Sequence, residues 1–282
     1  MKMKMKTKTH IINSFIYVIM TAVSLTMLFP FIWMISTSLK EKTAALQIPI
    51  KLIPDPVVFE AYLEVWDVIP LLTGIKNTLL IAAPVILCGT FVSALAAFAF
   101  AKMEIPGKNL LFMGLLVTMM IPGVVTLIPQ YVVWGRMGLV DTLIPLIVPG
   151  MLGNISMMFF FRQFLSGIPR EYIEAARIDG AGWMKTFITI FMPLMRPAIA
   201  AQVIFWFMGI WNDFLGPLIY LDSESNYTVQ LALRLLNSMG EATSEYPMIM
   251  AGSVISCVPL LILFICFQRY FMDSMVISGV KG

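Results

Sequence analysis

The chain is dominated by long apolar runs separated by short polar ones. Six runs, at about 11–35, 77–101, 109–131, 143–165, 198–221 and 247–271, are long enough to be spanning helices, since about 20 mostly apolar residues cross ~30 Å of hydrocarbon. Two intervening segments exceed a turn. The loop 36–76 contains Pro49, Pro54, Pro56 and Pro70, with Tyr62 and Trp66 between acidic residues, a pattern that predicts an extended, proline-stiffened loop. The segment 166–197 is highly charged and has helical character on both sides of one glycine.

Composition turns this pattern into a class. Of the 282 residues 59% are hydrophobic and only 12% charged, and mean hydropathy is +0.88. Soluble domains run at roughly 45–50% apolar and about 25% charged, so this chain could not cover a water-facing surface. It reads as an all-α, polytopic membrane protein.

Charge position sets the expected orientation. Lys2, Lys4, Lys6 and Lys8 precede the first run, and Lys102, Lys108, Arg162, Arg170, Arg177, Lys185, Arg196, Arg269 and Lys281 lie in segments on the same side. The opposite side holds fewer cations, Lys40, Lys42, Lys51, Lys76, Arg136 and Arg234. Both termini are therefore expected in the cytoplasm, with segment 166–197 internal and the loops 36–76 and 222–246 external. The first run is too long for a signal-peptide core and no A-x-A site follows, so it reads as an uncleaved helix, and the KMKMKTK stretch as a topology anchor with no nucleic-acid role.

Several chemistries find no support. Cys88, Cys257 and Cys266 sit in apolar runs without CxxC or metal-ligand spacing, and His10 is the single histidine. Neither GxxxxGK[ST] nor GxGxxG occurs, so no cofactor or nucleotide site is expected on this chain.

Segment 166–197 carries the most specific pattern. Pro169 suits the first turn of a helix, and Glu171 sits where a negative charge favours the helix dipole. Ile173, Ala176 and Ile178 form an expected apolar side, with Arg170, Glu174 and Arg177 on a polar one. Gly180 is expected to end this helix through positive φ, and a second should run from about Ala181 to Met192, stopped by Pro193 and Pro197. Pattern alone allows a plain interfacial connector. However, Glu174-Ala175-Ala176, then Asp179-Gly180-Ala181, then Ile190 and Pro193 resembles the EAA loop of ABC-transporter permeases, with Met192 where leucine is usual. Trp211-Asn212-Asp213-Phe214 resembles the WN-[DE]-F of maltose-type sugar permeases, and Ser278-Gly279-Val280-Lys281-Gly282 their G-x-VKG tail. The chain as a whole is similar to the smaller, MalG-like subunit of the binding-protein-dependent (MetI-like) permease family.

That resemblance implies the type I ABC importer permease fold and a set of partners. These are a MalF-like second permease, a cytoplasmic ATPase dimer that holds ATP and Mg, an extracytoplasmic solute-binding protein, and a carbohydrate. It also implies that Glu174, Ala175, Ala176, Asp179, Gly180, Ile190 and Pro193 belong to a coupling element seated on an ATPase subunit. The expected division is an anchor and external loop over 1–70, a core over 71–271 and an internal tail over 272–282.

In the fifth run Gln202, Trp206, Gly209, Asp213, Gly216 and Tyr220 are spaced to share one helix face, flanked by Asn212. Small and polar residues at such spacing face protein or a wet cavity, so this face is a candidate translocation pathway. Asp213 is open to a structural role instead, fixing the outer end of the span. Pro122, Pro129, Pro145 and Pro149, with Gly123, Gly150 and Gly153, should interrupt spans three and four, as backbone lining a cavity permits. The acidic loop 222–246 reads either as a solvated connector or, by the resemblance, as a projection towards the binding protein. An ion-coupled secondary transporter would carry more intramembrane carboxylates and often a repeat. An intramembrane enzyme would need a nucleophilic or metal set at membrane depth. Neither pattern is present. A polyamine, phosphate or glycerol phosphate cargo remains compatible with the same machinery.

Overall fold

The computed structural model describes the backbone of residues 2–45, 47–49, 51–243 and 245–279, and the side chains within them except at 2–11, 239–243 and 269–279. Among these residues every regular element is helical. The long helices are α1 (Lys2–Ser38), α3 (Leu71–Lys102) and α14 (Tyr246–Gly279). Between the first two lies the short α2 (Glu60–Val68), and after α3 come α4 (Lys108–Thr118), α5 (Gly123–Arg136), α6 (Ile144–Met151) and α7 (Ile155–Ser166). Four spans are continuous enough to cross a membrane, Ile12–Ser38, Leu71–Lys102, Ile144–Ser166 and Tyr246–Gln268, and two bent pairs raise the number to six.

The first bend falls where an interruption of span three was expected. The run 109–131 is α4 and α5 meeting at 91°. Pro122 is the cause: it lacks an N–H, adopts an extended ψ of 130° and restarts the helix at Gly123. Span four breaks more mildly at Gly153, where φ is 111°, and restarts with Asn154 accepting from the Met157 N–H at 3.0 Å.

Contacts divide the chain into two units, one of Met1–Ile69 with Leu235–Cys257, the other of Pro70–Arg234 with Val258–Gly282. In the first unit the loop after α1 is more ordered than its prolines predict. Lys42 is paired with Glu245 at 3.0 Å and Glu64 at 3.3 Å, and these bonds, Glu245 first, raise its pKa. Lys40 covers the Trp33 ring at 4.8 Å, and the Ser38 and Tyr62 hydroxyls meet at 2.7 Å. The expected extended loop therefore contains α2, whose Ala61 and Val65, four residues apart, form a buried face.

The second unit is built on α3, which packs on α7, α6 and α11 (Arg196–Trp211). Close approach requires small side chains. At Gly89 a β-carbon would overlap both the Trp206 ring and the Gly150 carbonyl. The core below is aromatic: Phe98, Phe161, Phe187 and Phe191 are buried with Met157, Leu165 and Met195. Arg162 lies over Phe112, its guanidinium carbon 3.9 Å from the ring centre.

Candidate coupling and pathway site

Segment 166–197 folds as two short helices about one glycine. The first, α8, spans Glu171–Ile178 and starts two residues after Pro169, with the N–H groups of Ile173 and Glu174 donating to the Arg170 carbonyl. Its end is a Schellman motif. The Ala181 N–H donates to Ala176 O at 2.8 Å and the Gly180 N–H to Arg177 O at 3.0 Å, with Gly180 at φ 72°. The chain then enters α9 (Trp183–Thr186), a π-helical turn over Phe187–Phe191, and α10 (Met192–Leu194). Arg177 reaches across the glycine to cover the Trp183 ring at 4.5 Å, which braces the angle between the two helices.

This element has a seated face and an open one. Ile173 and Ala176 are buried, Ile173 in the aromatic core, whereas Glu174, Ala175, Asp179 and Gly180 are exposed. Ile178, expected on the apolar side, is 87% exposed instead. It is the last helical residue, and the turn that follows carries its side chain past the edge of the packed surface. Glu174, Arg170 and Arg177 line a cleft of about 310 Å³ together with Lys102, Glu104 and Trp183. The second helix does not stop at Met192. The Met192 N–H bonds back to Phe187 O in the wider π turn, Pro193 is accommodated at the start of α10, and the break falls at Met195, where the chain turns by 76° into α11. Ile190 is half-buried against the core and Pro193 is exposed.

Span five is not one helix, so its expected stripe is not one face. Helix α11 ends at Trp211, residues 212–214 are non-helical, and α12 covers Leu215–Tyr220. The Asn212 side chain donates to Met208 O at 2.9 Å, closing α11. Asp213 accepts the Gly216 N–H at 3.2 Å, capping the restarted α12. The stripe is thereby split by environment. Gly209, Asn212 and Asp213 are exposed and Gln202 is half-exposed, whereas Trp206 packs over Gly89, and Gly216 and Tyr220 are buried. Tyr220 stacks on Tyr131 at 6.3 Å and donates to Gln130 at 3.4 Å. Two side chains beyond the span complete the open cluster. Gln230 donates to Trp211 O at 3.2 Å and lies 3.5 Å from Asn212 Oδ1, and Arg234 covers Phe214 at 5.6 Å.

Beside this break the chain is pinned by a network that no pattern in the sequence announced. Asp141, at φ 59°, accepts from the N–H groups of Asp222 (3.0 Å) and Ser223 (2.9 Å), from the Ser223 hydroxyl, and from Asn226. These bonds, Ser223 foremost, hold its carboxyl well below the usual carboxylate range. Asn77 donates to Ser225 O and Tyr227 O, and Thr78 accepts from the Val229 N–H. The expected acidic loop 222–246 is thus mostly a helix, α13 (Val229–Thr243), mounted on a fixed turn. Lys281 and the rest of the Val280–Gly282 tail lie outside the described residues.

The family described as "Binding-protein-dependent transport system inner membrane component" matches residues 89–276. Among curated proteins, the chain is 34% identical over 99% of its length, and all of the relative's, to the arabinooligosaccharides transport system permease protein AraQ of Halalkalibacterium halodurans. It is 32% identical to the osmoprotective compounds uptake permease protein GgtD of Synechocystis, covering 73% of this chain and 69% of that one. With the sn-glycerol-3-phosphate permease protein UgpE of Yersinia enterocolitica identity is 28%, over 95% and 97%. Among solved structures, a bacterial ABC transporter that imports the acidic polysaccharide alginate has a chain of the same fold, with TM-score 0.81 at 23% identity over 93% of this chain and 97% of that one.

Proposed function

Because this chain belongs to the binding-protein-dependent transport inner-membrane components, a family of ABC-importer permease subunits, we propose that it forms half of a pathway for a neutral sugar or oligosaccharide. It is a multi-pass membrane protein and not itself an enzyme. It works with a second permease, an ATPase and a binding protein. The second permease is MalF-like, and ATP with Mg is held on the ATPase dimer. Both termini face the cytoplasm, a reading that rests on the distribution of Lys and Arg along the chain.

The observation that carries the mechanism is the two-faced element around Gly180. Its inner face is buried at Ile173 and Ala176, with Ile173 packed into the aromatic core, while Glu174 and Ile178 stand exposed. In the proposed mechanism this outer face seats on an ATPase subunit, with Glu174 making a charge-assisted contact and Ala175 allowing close approach. Closure of the ATPases then moves the permease core as a rigid body and alternates access. At the other end, Gln202, Asn212, Asp213 and Gln230 offer donors and acceptors suited to hydroxyl groups, and Gly209 leaves room beside them. Trp206, Gly216 and Tyr220 support that surface from within. The α13 region projects towards the binding protein. A sugar cargo is supported by the relatives that transport arabinooligosaccharides.

The test is purification of the chain in mild detergent with its co-purifying subunits, reconstitution, and uptake assays with labelled arabinooligosaccharide and with glycerol 3-phosphate. Recovery of a second permease and an ATPase, with uptake that requires ATP and the binding protein, is expected. Uptake by this chain alone without ATP overturns the importer reading, and glycerol 3-phosphate as the transported species overturns the sugar assignment.

A further inference from the structure

Lys102 is the last residue of α3 and is buried, yet among the described residues it forms no ion pair. An ammonium in such a place costs desolvation that an apolar side chain would avoid. Among the described residues its one hydrogen bond is to the Ile168 carbonyl, at 2.5 Å. Ile168 lies in the turn between α7 and α8, where the backbone has left one helix and not yet entered the next. The same ammonium stands 5.8 Å from the Phe191 ring, at the end of the π turn. One cation thus touches the entry and the exit of the α8–α9 element.

The contacts around it reinforce both attachments. One turn earlier on α3, Phe98 meets Phe191 at 5.0 Å, Phe187 at 5.3 Å and Trp183 at 6.2 Å. Just past the helix, Glu104 pairs with Arg170 at 3.6 Å, bridging the gap between α3 and α8 on the exposed side. Helix α3 is 32 residues long, or roughly 48 Å at 1.5 Å per residue. Near its opposite end are Asn77 and Thr78, which hold the 225–229 turn.

We propose that Lys102 is a positioning residue of the coupling step. Its ammonium fastens the entry turn of α8 to the inner end of α3 while Phe98 grips the exit, so that α8, α9 and α3 move as one body. The inference rests on the reading of the Gly180 element as the ATPase contact. It adds the load path: displacement enters at α8, is taken up by α3, and is delivered to the turn beside the span-five break. Arginine can reach the same carbonyl with its guanidinium, whereas methionine fills the space and makes no such bond.

The experiment compares Lys102→Met and Lys102→Arg in the complete reconstituted complex, in a background lacking Cys88, Cys257 and Cys266. Spin labels at Tyr172→Cys and Leu87→Cys, both exposed and neither assigned to the ATPase contact, report the α8 to α3 distance, and uptake per ATP is read in the unlabelled variants. Lys102→Met is expected to broaden that distance distribution and to lower sugar transported per ATP hydrolysed by about 10-fold, the loss anticipated for one hydrogen bond to a charged group. Lys102→Arg restores both. If Lys102→Met only lowers the yield or melting temperature, leaving distance and uptake per ATP unchanged, the residue is structural and the proposal falls. Should Lys102→Met fail to accumulate, Lys102→Leu, which likewise has no donor, is read by the same two measurements and judged by the same outcomes. Glu174→Ala is run alongside. Normal uptake by that variant removes the coupling reading itself, while the label distances still decide whether Lys102 holds α8.

Discussion

At the scale of single residues, two positions are decided by backbone conformation. Gly180 has φ 72°, a region that costs a residue with a β-carbon roughly 1–2 kcal/mol and that asparagine tolerates best. No neighbouring atom would touch an added β-carbon, so conformation and not space sets the preference. Gly180→Asn should therefore keep most ATP-driven uptake, whereas Gly180→Val should lose it, as proteoliposome assays would read. Asp141 is the second case, since it occupies a left-handed conformation and collects bonds from three residues. Its pKa is depressed, so its stabilising contribution is complete above the ordinary carboxylate value and is lost as pH falls through the lower folded value. Limited proteolysis at 221–229 should be unchanged between about pH 5 and 8, and Asp141→Ala should open the turn to cleavage across that whole range. The Gly180 turn was legible in the sequence because glycine after a helical run has few other uses. The Asp141 network was not, because its partners lie more than 80 positions away and include backbone N–H groups that any sequence supplies.

At the scale of elements, what packs against α3 decides how the second unit holds together. Gly89 admits the Trp206 ring and the Gly150 backbone at one point, so Gly89→Ala must push apart α11, α6 or both. Overpacking of this kind costs about 1–3 kcal/mol, and a lower melting temperature in detergent would show it. Trp206→Phe should recover only part of the loss, because the Gly150 carbonyl stays in place. Hydropathy located the spans well but could not show their bends. The turn at Pro122 lies inside an apolar run, the turn at Met195 just before the fifth run, and the break at 212–214 within that run, and the angle of 91° or 76° is fixed by packing and not by hydrophobicity. Proline marked the first of these. The span-five break had a subtler sign, since Asn212 and Asp213 are the residue types that close and restart helices. Helix α2 was hidden by the prolines on either side, although Ala61 and Val65 already carried its four-residue spacing.

At the scale of the whole molecule, the two ends of α3 hold the account together. The end at Asn77 and Thr78 carries the fixed turn that leads into α13, and the other end carries Lys102 and Phe98 against the α8–α9 element. The EAA pattern pointed to that element from about 20 residues. The sequence could not show that Ile178 stands clear of the core, because alternation of apolar positions says which residues share a side and not how far a packed surface extends. The central claim is that force enters through the open face of α8, and it is tested most directly by Glu174→Ala. The measurement is uptake and ATP hydrolysis in the same proteoliposomes containing the complete importer. At least about a 10-fold loss of uptake is predicted, as for loss of one hydrogen bond to a charged group, with the permease still present in the membrane. Uptake at the unaltered rate, in a complex of normal composition, would contradict the claim.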